Sequence, residues 1–130
     1  MTYAIAIDDL GGMTFMGKRL SRDRIMLARL ADLDGELLVL PYSMPLFAEG
    51  TVTQVSDPTV RREGAVLFLE TVDPAPYLRS GDRLVVYRFG RRYPSTLACS
   101  VPFDRLTVLR ETPFVGSSHP EMTETVYRIP

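Results

Sequence analysis

DDLGGMTFMGKRLSRDRIMLARL, residues 8–30, leaves an apolar strand, crosses a glycine-bearing loop and enters a helix. Ser21 has the side chain of an N-cap and Gly35 that of a helix stop, so the spacing predicts a helix over residues 22–34. Met26, Leu27, Leu30 and Leu33 form its apolar stripe. Asp23 falls in the first turn, three and four positions before Met26 and Leu27. It therefore shares the core-facing side and stands apart from Arg22 and Arg29. A carboxylate there is either a satisfied structural acid or a functional one. If it faces a cleft, burial should raise its pKa.

Outward from this stretch the chain alternates. Residues 2–7, TYAIAI, read as a strand buried on both faces, and residues 36–40, ELLVL, as a second. A short helix is expected over MPLFAE, residues 44–49, bracketed by Ser43, Pro45 and Gly50. A third strand covers residues 51–55. Asp57 and Pro58 open one or two helical turns that end at Gly64. A fourth strand, AVLFLE, covers residues 65–70; Asp73 and Pro74 repeat the capping signal over APYLR; a fifth strand, RLVVYRF, covers residues 83–89. Strands alternating with helices and buried on both sides predict a mostly parallel sheet with helices on both faces, residues 2–7 and 65–70 being central neighbours. After Phe89 the pattern changes. Residues 106–111 and 122–129 are strand-like, and the loop TPFVGSSHPE between them is too short for a crossover helix, so they should pair antiparallel at one end of the sheet.

The 130 residues are 45% hydrophobic, with no run long enough to span a bilayer and no signal-peptide pattern, which predicts one cytoplasmic α/β domain. Cys99 is the only cysteine, which excludes an internal disulfide and argues against a thiolate metal cluster. A net charge of -1 argues against electrostatic binding to nucleic acid, although fourteen of the fifteen basic residues are arginine.

The order of elements and several local strings resemble the dihydrofolate reductase family. AIDDLGGM, residues 6–13, is similar to that family's first strand and glycine-bearing loop. GKRLSRD, residues 17–23, resembles the approach to its catalytic helix, and the segment from Tyr93 to ETVYR, residues 124–128, resembles its final hairpin. The resemblance implies a dihydrofolate reductase-like fold over the whole chain, with Asp23 on the family's catalytic acid. It implies a small-molecule partner, a pterin- or nucleotide-like heterocycle, with Ala6, Met13, Leu27, Tyr42, Ser43, Glu70 and Tyr87 as ligand-binding residues and no metal.

The chain also departs from that pattern. It has no tryptophan, so the family's Pro-Trp pair is missing. Leu69, Glu70 and Thr71 stand where the family places adjacent glycines against the cofactor pyrophosphate, and a carboxylate there repels a diphosphate. Tyr87 replaces the threonine that supports the family's catalytic acid, and residues 55–64 are shortened. A degenerate cofactor site is the expectation, and the cofactor stays open. The family's NADPH-dependent reductase activity is the alternative.

Other residues carry competing interpretations. Asp8, Asp9, Asp23 and Glu70 could together hold a divalent metal in a phosphodiester hydrolase, or Asp8 and Asp9 could begin a solvated turn. Gly17, Lys18 and Arg19 lack the glycine pattern of a phosphate loop and read as solvated. His119, the only histidine, excludes a histidine-rich zinc site. A Ser-His pair through it would have to be built across a flexible loop in which Ser117 and Ser118 read as turn residues.

Overall fold

The computed structural model describes residues 1–130. Its strands are β1 (Thr2–Ile7), β2 (Gly12–Phe15), β3 (Lys18–Arg19), β4 (Leu37–Val39), β5 (Thr53–Gln54), β6 (Val66–Phe68), β7 (Arg83–Arg88), β8 (Leu97–Ala98), β9 (Thr107–Phe114) and β10 (Met122–Arg128), with one α-helix, α1 (Arg24–Ala31). Seven strands form the main sheet in the order β5-β4-β6-β1-β7-β10-β9. β1 pairs parallel with β6 and with β7, and β4 pairs parallel with β5 and β6. β10 runs antiparallel to both β7 and β9. The central position of β1 and the antiparallel closing pair are as the run lengths predict.

Side chains alternate across the sheet. Tyr3, Ile5, Ile7, Leu67, Leu69, Leu84 and Val86 pack on one face, while Ala4, Val66, Phe68, Val85 and Tyr87 pack on the other against Met26 and Leu30 of α1. Full burial of Met26 and Leu30 stabilises the docking of that helix by about 1.5 to 3 kcal/mol each.

The helical content is lower than predicted. Residues 41–46 and 75–77 form only 3-10 turns, and residues 57–64 form no helix, so a single α-helix covers one face and loops cover the other. The prolines and glycines that suggested caps leave segments too short to repay helix nucleation. Asp57 instead accepts from the N–H of Thr59 at 2.8 Å and closes a turn. α1 starts two residues later than expected and ends earlier. Its N-cap is Asp23 and not Ser21, because the Asp23 carboxylate accepts from the N–H groups of Ile25 (3.0 Å) and Met26 (3.1 Å). Gly35, at φ 111°, lies where a Cβ would overlap the Gly64 carbonyl, so only glycine lets the chain turn back here.

A second small sheet, β3-β2-β8, is built from the glycine-bearing loop itself. Phe15 pairs with Lys18 across Met16 and Gly17, which have φ of 52° and 80°, a two-residue hairpin turn with both centres left-handed.

Candidate functional site

The parallel strands end in a cleft edge of the kind where open α/β sheets bind ligands. Two side-chain clusters occupy it. The first joins the hairpin to the sheet. Arg19, on β3, donates a forked pair to Glu70, Nε to Oε2 and Nη2 to Oε1, both at 2.9 Å. The Ser43 hydroxyl donates to Glu70 Oε1 at 2.7 Å. The guanidinium lies 4.4 Å from the centre of the Tyr42 ring, and the Tyr42 hydroxyl accepts from the Arg19 N–H at 3.0 Å. Tyr42 and Ser43 come from the 3-10 turn after β4, and Glu70 from the segment just after β6. Arg19 is therefore structured by Glu70 and not merely solvated.

The second cluster centres on Asp23, which is 1% exposed. Besides capping α1, its Oδ1 accepts from the Ser117 N–H at 2.9 Å, and its Oδ2 accepts from the Ser118 N–H at 2.9 Å and lies 3.1 Å from His119 Nδ1. Burial pushes the pKa of Asp23 up. The N–H groups of Ser118 and Ser117, the His119 ring and the Met26 N–H outweigh it, so the carboxyl is held well below the ordinary range. This reverses the upward shift expected of a cleft-lining acid: the β9–β10 loop closes over Asp23, and a Cβ on Gly116 would overlap its carboxylate. An ionised carboxylate only accepts, so the proton of a neutral His119 sits on Nδ1. Nε2 is then an acceptor, 3.1 Å from Ser21 Oγ and 2.9 Å from the Tyr93 hydroxyl.

Between the clusters lies an open pocket of about 390 Å³ lined by Phe15, Met16, Lys18, Arg19, Leu20, Tyr93 and Pro94. Asp8 fixes one wall. Its Oδ1 accepts from Leu10 and Gly12 (2.9 and 2.7 Å) and its Oδ2 from the Tyr93 N–H (2.9 Å), so it is a buried loop tie and not a solvated turn residue.

The expected site residues are distributed unevenly. Tyr42, Ser43 and Glu70 come together around Arg19. Asp23 stands in the second cluster. Met13, on β2, is buried in the core, Leu27 on α1 and Ala6 on β1 are half-buried, and Tyr87 is wholly buried. The Tyr87 hydroxyl donates to Glu124 Oε2 at 2.8 Å, and Arg29 also bonds Glu124, at 2.9 Å to Oε1. Asp8, Asp23 and Glu70 are each engaged by separate donors, and no three His, Cys, Asp or Glu side chains are placed to hold a metal ion.

A mostly parallel sheet with an antiparallel C-terminal pair gives this chain a dihydrofolate reductase-like α/β fold. Among solved structures, the dihydrofolate reductase from Enterococcus faecalis, complexed with NADP(H) and RAB-propyl, matches with a TM-score of 0.67 over 98% of this chain and 95% of that one. Sequence identity between the two is 15%, so the likeness is one of fold. No protein-family model matches the chain, and no curated protein matches it in sequence.

Proposed function

We propose that this is a small-molecule-binding domain, with a flat, pterin- or nucleotide-like heterocycle seated at the C-terminal edge of the sheet against Tyr42, Ser43 and Glu70. The observation that carries this is the pose of Arg19. A planar guanidinium lies on an aromatic face and is forked onto a partly buried carboxylate. That is the combination of ring stacking and paired hydrogen bonds that an amidine-edged heterocycle requires. The heterocycle exchanges with Arg19, whose side chain swings into the adjoining pocket. Glu70 at the end of β6 also disfavours a pyrophosphate, so the cofactor side of the fold is degenerate in this proposal.

A ligand that binds only the folded state raises its melting temperature. A thermal-shift screen with pterins, nucleotides and reduced and oxidised nicotinamide dinucleotides should give a rise with a heterocycle of the first two groups, absent in Glu70→Gln, and none with the dinucleotides. The alternative, a working NADPH-dependent reductase, is supported by fold alone. A submicromolar Kd for NADPH, about -8 kcal/mol or better, would replace the binding proposal with it.

A further inference from the structure

Ser21, His119 and Asp23 stand in the relation of nucleophile, base and orienting carboxylate. Ser21 Oγ is 3.1 Å from His119 Nε2, and His119 Nδ1 is 3.1 Å from Asp23 Oδ2. Both separations lie within hydrogen-bond reach, and the base is oriented by a third group, which is the signature of an activated hydroxyl nucleophile whatever the order of the residues in the chain. Asp23 and His119 are buried, whereas Ser21 is half-exposed beside Leu20, a wall of the 390 Å³ pocket. The backbone N–H groups of Ser21 and Arg22 donate to no backbone carbonyl.

We propose that this cluster is an acyl-transfer site acting on small carboxylic esters, whose apolar group enters the pocket between Phe15, Met16, Leu20 and Tyr93. Ser21 Oγ attacks the ester carbonyl carbon while His119 Nε2 takes the hydroxyl proton. The tetrahedral oxyanion collapses, the bond to the alcohol oxygen breaks, and His119 returns the proton to the departing alkoxide. Water then attacks the acyl-Ser21 ester, giving its proton to Nε2. The acid leaves, and the proton goes back to Ser21. Ester and water are consumed, acid and alcohol are formed, and no redox partner is involved. Tyr93 competes with Ser21 for Nε2 and is a brake on the reaction. Asp23 is a positioning residue that holds the imidazole with its proton on Nδ1.

The intact protein should be labelled by a fluorophosphonate probe, with the adduct on the Ser21 peptide by mass spectrometry, and should hydrolyse p-nitrophenyl butyrate. Ser21→Ala should abolish the label and reduce hydrolysis by about a hundredfold or more at an unchanged melting temperature. Tyr93→Phe should raise the labelling rate. Asp23→Asn, assayed below its own melting temperature, should lower kcat with KM held, because the amide favours the wrong imidazole tautomer; a purely structural Asp23 would leave kcat of the folded protein unchanged. An unlabelled wild type, a label that persists in Ser21→Ala, or a label mapped to Tyr93 would overturn the proposal. None of these results depends on the heterocycle screen, which reads Glu70.

Discussion

Replacing Asp23 with asparagine tests the second cluster directly. In the native protein Oδ1 accepts three N–H groups, from Ile25, Met26 and Ser117, and Oδ2 accepts the Ser118 N–H and faces His119 Nδ1. Asparagine keeps one oxygen, which can serve the first three donors. Its amide NH2 then points at the Ser118 N–H and at the imidazole. The imidazole can switch tautomer and accept, but the Ser118 N–H cannot. It is left as an unpaired donor, at a cost of about 1 to 3 kcal/mol, and the remaining bonds lose their charge assistance. A total of about 2 to 4 kcal/mol is expected, which in a domain of this size lowers Tm by roughly 4 °C for each kcal/mol. Urea unfolding with an unchanged m-value is the measurement. The pH dependence has a definite sign. Because the folded-state pKa of Asp23 is depressed, its stabilisation is complete above the unfolded carboxyl pKa of about 3.9 and is lost as pH falls below it. The acid limb of the stability curve should therefore be shallower in the variant. A variant as stable as the wild type would mean that Asp23 faces an open cleft and that the loop does not close on it.

One further substitution and one reactivity measurement probe other features. Gly116→Ala places a methyl group against the Asp23 carboxylate, and it should cost about 1 to 3 kcal/mol in urea unfolding as the loop is pushed away; a neutral result would show the loop free to move aside. Cys99, whose thiol burial pushes up to about 11, should react slowly with a thiol reagent at pH 8 in the native protein and fast in urea, and equal rates would contradict its packing.

The centre of the sheet was legible because β1, β6 and β7 lie in apolar runs, and connection length decides pairing direction. The helices were not, since a Pro or Asp at the start and a Gly at the end mark a turn as well as they mark a helix. The hairpin of β2 and β3 was hidden because its turn is Met16-Gly17, without the Asn-Gly or Asp-Gly that usually supplies two left-handed residues. Glu70, Tyr42 and Ser43 could be placed together from the sheet edge alone, but their partner Arg19 depended on that unseen hairpin. His119 is the instructive case, because a Ser-His pair through it was considered and set against a flexible loop. The antiparallel pairing of β10 with β7, which the sequence does not specify, puts the β9–β10 loop at the C-terminal edge of the parallel strands, beside the segment that carries Asp23. The topology thus contained the meeting of His119 and Asp23, while loop composition suggested flexibility. What composition lacked was the set of N–H donors at Ser117 and Ser118 that a buried carboxylate fixes.

β1 lies in the middle of the sheet, with Thr2 beside both Val66 and Arg83. Its two flanks are thus supplied by segments made much later in the chain, and the second cluster further requires the loop after β9. Loop-closure entropy must be met before any of these pairings contributes, so the time course of folding should be that of a slow, non-local topology, in milliseconds to seconds. Until β10 docks on β7, the Asp23 segment has no donors at Ser117 and Ser118 and His119 has no fixed place. A chain cut short before β10 therefore lacks the strand pairing that sets the Ser117, Ser118 and His119 loop over Asp23.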